Sequence, residues 1–262
     1  MKSAIVSWDE TTGLGRSTEP EWCDAVEFGF EIGDWLSFLS AGGNRLDAKH
    51  TTSEQTVGEN EFEANHTVDL ACGSYNLHQR EWIDESNFER ELSMTSNGEG
   101  MIGDLVLRFV FHGASHLSAV INGRTIPFQG QNRYHQFEAR SVSLTDGGKL
   151  LFSVRLEDYN VPKGMEPVVY AKDVSPNRWV VHVRLQAVDT KAGILRLYRG
   201  PFRHVSALDR VVRRRPWLRD RLRYLRERSR VPSRLLPVQY VDLVELTDNK
   251  EIRIHAKGTC TH

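Results

Sequence analysis

The chain of 262 residues is poor in the features that usually announce a function. Its three cysteines, Cys23, Cys72 and Cys260, are odd in number and scattered, with no C-x-x-C pair. That pattern argues against a zinc ribbon and a disulfide framework and suits a reducing compartment. No window approaches the roughly 18 uninterrupted apolar residues of a membrane-spanning helix. The opening residues MKSAIVSWDE lack the apolar run and small-residue cleavage site of a secretory signal. A cytoplasmic protein is therefore expected, and the sequon Asn65-His66-Thr67 reads as coincidence. There is no Walker A loop, no H-E-x-x-H, no G-x-S-x-G elbow and no EF-hand loop. Gly13-Leu14-Gly15 is followed by Thr18 where a dinucleotide fingerprint needs another small residue, so it reads as a loop. Neither a cofactor nor a metal is expected.

What is present is ordinary in bulk and uneven in detail. A hydrophobic content of 39% with 20 glycines excludes wholesale disorder and a collagen-like repeat. The formal charge is -1. Residues 1–100 nevertheless carry a net of -14, residues 101–202 a net of +5 and residues 203–234 a net of +9, all twelve bases of that last stretch being arginine. Such a chain either pairs its own segments or presents a basic face to something anionic.

Strand signals dominate. Val26, Phe28, Phe30 and Ile32 alternate with Glu27, Gly29 and Glu31, which predicts a strand with one buried and one wet face. The same period-2 pattern recurs in Leu150–Leu156 and in Trp179–Leu185. Over 104–112 both faces carry apolar residues, because Val106 and Val110 share the second face with Arg108 and His112. Asn122-Gly123 and Asp146-Gly147-Gly148 predict tight turns between strands. Val238–Leu246 and Ile252–Ala256 suggest a closing hairpin, and the polar, aperiodic stretch 40–60 reads as a long loop. Helix is expected only over 203–230, where Val205, Leu208 and Val212, then Leu218, Leu222 and Leu225, fall at helical spacing around Pro216. The expected fold is a single domain over 1–262, mainly β. We expect an antiparallel β-sandwich or flattened barrel with a basic helical insertion near the C-terminus.

Candidate chemistry falls in two places. His182, Arg184 and Gln186 share one face of a strand whose other face is apolar, and Arg133, Tyr134, His135, Gln136 and Glu138 form a strand polar on both sides. A strand of that kind is either an edge or lines a site. If these faces bound a cavity, His135 and His182 would transfer protons. Arg133 and Arg184 would anchor an anion, and Tyr134 and Gln186 would orient the ligand. The alternative is that the same side chains simply face water. His112 and His116 lack the helical geometry that aligns two metal ligands, and are read as turn residues. His66 and Cys72, in register with Phe62, Ala64, Val68 and Leu70, are read as core. Glu157 and Asp158 are read as falling where a strand becomes a surface loop.

The second place is the arginine segment. Ten arginines crowd residues 213–234, with Trp217 and Tyr224 among them. Arg213, Arg214, Arg215, Arg219 and Arg223 are its candidate anion-binding residues. The segment either packs its leucines on the sheet while its arginines answer the acids of residues 1–100, or docks an anionic partner. An acidic protein or a second copy of the chain is favoured over nucleic acid or a membrane, since no nucleic-acid signature accompanies it. Three function classes result. The chain holds a small polar or anionic molecule in its β framework, with or without cofactor-free isomerisation, cyclisation or hydrolysis. It is a non-catalytic interaction protein. Or it binds nucleic acid or membranes peripherally.

Overall fold

The alternation read from the sequence builds two nine-stranded sheets that pack face to face. The computed structural model describes residues 6–42, 45–84, 86–188, 190, 192–198, 202–204, 211–212, 214–215, 217–222, 238–247 and 250–261. The first sheet runs in the order Ser7–Asp9, Leu14–Ser17, Ala25–Gly33, Asp104–His112, Arg178–Ala187, Met165–Val174, Tyr134–Phe137, with two short strands, Phe38–Ser40 and Arg45–Leu46, beside Ala25–Gly33. The second runs Arg124–Pro127, Ser118–Ile121, Ser141–Asp146, Lys149–Asn160, Glu251–Cys260, Asn87–Ser96, Gly73–Ile83, Glu61–Leu70, Lys49–Val57. Every pairing is antiparallel. The mainly β sandwich expected from patterning is therefore the fold, with its core between the sheets.

That core is aromatic at its centre. Phe28 and Phe109 from the first sheet meet Phe88 and Phe152 from the second, with ring centroids 5.2–6.0 Å apart and mostly edge-on, a geometry that adds to simple area burial. The turn chemistry is as expected: Asn122 (φ 49) and Gly123 (φ 72) join Ser118–Ile121 to Arg124–Pro127, both in the left-handed region that a two-residue hairpin needs.

Four expectations are corrected. Residues 40–60 are not one long loop, because Lys49–Val57 is the edge strand of the second sheet, paired with Glu61–Leu70. Thr51, Ser53, Gln55 and Thr56 face solvent on an edge, so no apolar period marks it. The closing hairpin does not form. Val238–Asp242 pairs with Gly193–Tyr198, Val244–Leu246 with Gly100–Ile102, and Glu251–Cys260 lies between Lys149–Asn160 and Asn87–Ser96 at the centre of the second sheet. The strand does not end at Glu157. It runs on to Asn160 past a bulge between Leu156 and Asp158, and Arg253 pairs with Asp158. Finally, the insertion over 203–230 is not helical at its start, since Phe202–His204 is a strand on Gly193–Tyr198. Among the described residues helix covers 211–212 and 217–222, where Val212, Leu218 and Leu222 pack on Leu195 and Tyr240. The rest of the insertion, with Arg213 and Arg223, lies outside the described residues.

One buried ion pair ties the sheets together. Arg90, fully buried on Asn87–Ser96, meets Glu81 on the neighbouring strand, with Nε 2.5 Å and Nη2 2.8 Å from the two carboxylate oxygens. Its guanidinium then crosses the core, stacks 4.8 Å over Phe109, and donates to the carbonyls of Arg108 and Gly29 on the first sheet. A buried charge is tolerable only when its donors are satisfied in this way. Glu81 accepts in turn from Gln79, whose Oε1 is 3.0 Å from His66 Nε2, and His66 Nδ1 lies 3.1 Å from His50 Nε2. His66 is thus a hydrogen-bonded core residue, and burial holds its pKa down to about 4.

Candidate active site on the outer face of the first sheet

Strand alternation and register determine which side chains meet on the outer face. Across three strands, Arg108 lies opposite His182, and His182 opposite Tyr170. One pleat along, Glu31 lies opposite Val106, which faces Arg184. One further, Asp104 faces Gln186. The edge strand adds Gln136 opposite Tyr170 and Tyr134 opposite Lys172. That edge is fixed by Asp173. Its buried carboxylate accepts the backbone N–H groups of Gln129, Gln131 and Arg133, a loop that passes through left-handed Gly130 and Asn132.

The polar groups form a connected lattice. Arg184 donates to Gln136 Oε1 (2.8 Å), Gln186 Oε1 (2.7 Å) and Asp104 Oδ2 (3.4 Å). Arg108 reaches Glu31 (3.2 Å) and Glu27 (3.8 Å), and Glu27 also meets His112 Nε2 at 3.0 Å. Ser40 donates to Glu31 Oε1 at 2.9 Å. Tyr170 stacks against His182, with centroids 4.6 Å apart, and lies under the Arg184 guanidinium. Tyr134, mostly exposed, and Lys172 lie against each other at the rim.

His182 is the exception in this lattice. It is buried, yet neither ring nitrogen has a hydrogen-bond partner, and the nearest carboxylate oxygen, Glu31 Oε2, is 3.9 Å from Nδ1. Buried polar atoms are nearly always paired, so an orphaned imidazole needs an explanation. Its pKa lies well below the ordinary value, because burial disfavours the imidazolium and Arg184, Arg108 and Lys172 all repel it. Glu31 is shifted the opposite way. Burial raises its pKa, against the lowering influence of Arg108, the Ser40 hydroxyl and Arg184. A neutral imidazole thus faces a carboxyl group whose ionisation burial opposes and Arg108 supports.

The structure gathers some of the expected residues and separates others. His182, Arg184 and Gln186 share the outer face, with Tyr134 at its rim. His135 does not join them: it is paired with Ala171, one residue out of phase with Tyr134 and Gln136, so it points to the opposite side of its strand. Its pKa is lowered chiefly by burial, against the pull of Asp173. Arg133 is exposed and serves Asp173 through its backbone. Glu31, Arg108, Asp104 and Tyr170 were not among the expected site residues. Glu31 was read as the wet side of its strand. Arg108 carried a usable signal, a charge between Val106 and Val110 on a strand apolar on both faces.

Elsewhere, His116 is exposed, and no group of three or more His, Cys, Asp or Glu side chains could hold a metal among the described residues. Cys72 is half-buried among Trp35, Leu36 and Met101, with its thiol pushed up to about 12 by burial. A small cavity between the sheets, lined by Val26, Phe28, Phe88 and Cys260 among others, is apolar and separate from the His182 lattice. No helix among the described residues is long and apolar enough to cross a membrane. Of the arginine segment, Arg214 and Arg215 are exposed and Arg219 pairs with its neighbour Asp220.

No family model matches the chain, and no curated protein matches it either. Solved structures similar to it include a putative aldose 1-epimerase from Escherichia coli, at 9% identity and TM-score 0.47, covering 79% of this chain and 68% of that one. A galactose mutarotase related enzyme from Lactobacillus acidophilus is similar at 9% identity and TM-score 0.47, covering 81% and 71%. A protein from Synechocystis sp. PCC 6803 is similar at 8% identity and TM-score 0.42, covering 97% and 94%.

Proposed function

We propose that the outer face of the first sheet binds a small polar molecule bearing, or developing, negative charge, and that His182 and Glu31 move a proton on it. The observation that carries this reading is the orphaned imidazole. Both nitrogens are buried, so a ligand hydroxyl or carbonyl that displaces the side chains covering the ring supplies the partner that neither has within the protein. Burial and the neighbouring cations keep the ring neutral, so one nitrogen donates and the other accepts a hydrogen bond at the ligand. Glu31, with its raised pKa, is the complementary group. Arg108 and Arg184 stand where charge develops, held by carboxylates and amides on fixed strands rather than on loops.

This chemistry suits isomerisation, ring opening or closure, or hydrolysis, and proton transfer between two side chains needs no redox cofactor. Thermal-shift screening against monosaccharides, their phosphates and small hydroxy-carboxylates tests it. The expected result is stabilisation by at least one class that is abolished in His182→Phe and weakened in Glu31→Gln. Hits that bind both variants as tightly as the native chain would contradict the assignment.

A further inference from the structure

The arginine segment is not used by this site, and its described part has a two-sided character. On the inner side, Val212, Leu218 and Leu222 are engaged by Leu195 and Tyr240, so the helix is already docked on the sheet formed by Phe202–His204, Gly193–Tyr198 and Val238–Asp242. On the outer side stand Arg214, Arg215, Trp217 and Arg221. Trp217 is 66% exposed and Val211 46%, and Trp217 is the most exposed large apolar side chain among the described residues. Arg214 and Arg215 precede the helix, and Trp217 and Arg221 stand one turn apart on it.

Six acids of residues 1–100 are engaged elsewhere. Glu81 holds Arg90, Glu27 and Glu31 hold Arg108, Glu61 holds Arg80, Glu89 holds Lys257 and Glu91 meets Arg253. Among the described residues neither Arg214 nor Arg215 has an ion-pair partner.

We infer that this surface docks on an anionic lipid headgroup layer, with Arg214 and Arg215 against the phosphates and Trp217 at the level of the acyl boundary. A tryptophan standing in solvent among arginines suits an interface wet on one side and apolar on the other. A short helix whose inner face is already satisfied presents a single outward stripe, which a flat surface meets without a groove. Each arginine near an anionic headgroup layer strengthens the partition roughly five-fold. This docking is independent of the His182 site.

Flotation with vesicles of phosphatidylcholine alone, and of phosphatidylcholine with phosphatidylglycerol, tests it on the full chain. The native protein is expected to float only with the anionic vesicles and to be released as salt is raised. Arg214→Ala with Arg215→Ala lowers the partition coefficient roughly thirty-fold, two such arginines at 1.4 kcal/mol per decade. Trp217→Ala weakens binding at constant charge, and circular dichroism confirms that each variant keeps its strands. Absence of flotation with anionic vesicles overturns the proposal, as does flotation that Trp217→Ala leaves unchanged. Tighter binding to duplex or single-stranded DNA than to the anionic vesicles also overturns it, and marks the surface as a nucleic-acid site.

Discussion

Arg90 is a residue whose loss the fold absorbs poorly. It is fully buried, makes two bonds to Glu81, donates to two backbone carbonyls of the opposite sheet and stacks on Phe109. In Arg90→Met the aliphatic volume is largely kept, but Glu81 becomes a buried carboxylate with only Gln79 as donor. Removing one member of a buried ion pair typically costs about 3–5 kcal/mol, against a total stability of about 5–15 kcal/mol for a domain. Replacing both members with apolar residues, Glu81→Leu with Arg90→Met, removes the uncompensated charge and is expected to regain most of that loss. Urea unfolding followed by tryptophan fluorescence and far-UV circular dichroism measures all four corners of the cycle. The reasoning is refuted if Arg90→Met loses less than about 1 kcal/mol, or if the double variant is as unstable as the single one. Because Arg90 holds the backbone of Arg108, the single variant is also expected to weaken ligand binding on the outer face.

Other expectations are briefer. His182→Phe removes two unpaired buried nitrogens while keeping a ring, so stability stays within about 1 kcal/mol of the native chain while binding is lost. Equilibrium unfolding against ligand titration separates the two. His66 has a folded pKa of about 4, depressed by burial from its ordinary value of 6.5, so the unfolded state binds the extra proton between those limits. Its contribution is present above pH 6.5 and lost as pH falls towards 4, on the order of 3 kcal/mol. The lowered values of His50 and His182 act in the same direction, while Glu31, raised by burial, favours lower pH. Denaturation midpoints between pH 7 and 4 should therefore fall, and His66→Gln should flatten the slope. Gly258→Ala sets a Cβ 2.2 Å from both Phe88 and the Ser153 carbonyl at the centre of the second sheet. It should cost about 3 kcal/mol by overpacking, read from thermal unfolding, and a neutral variant would show that this strand can shift.

The fold class was legible because period-2 alternation is a property of each strand alone. Val26–Ile32 and Trp179–Leu185 declare one buried face whatever their neighbours are. Partnership was less legible. Glu251–Cys260 shares its chain neighbourhood with Val244–Leu246 yet pairs with strands far away in sequence, and nothing local encodes that choice. Edge strands such as Lys49–Val57 escape because neither face is consistently buried. The candidate site was half legible for the same reason. His182, Arg184 and Gln186 lie on one strand and are visible together. Glu31, Arg108 and Tyr170 join them only through register across four strands. His135 was misplaced by a single residue of phase, the smallest error that sends a side chain to the wrong face.

The most direct test of the central claim is the ¹⁵N chemical shift of the His182 ring nitrogens, recorded without ligand and through titration with the compound that stabilises the protein best. A neutral tautomer with neither nitrogen hydrogen-bonded is predicted for the free protein. On saturation, one nitrogen should shift to a hydrogen-bonded value while His66, inside the sandwich, stays unchanged. A charged imidazolium in the free protein at neutral pH, or a His182 ring unaffected by saturating ligand, would contradict the account.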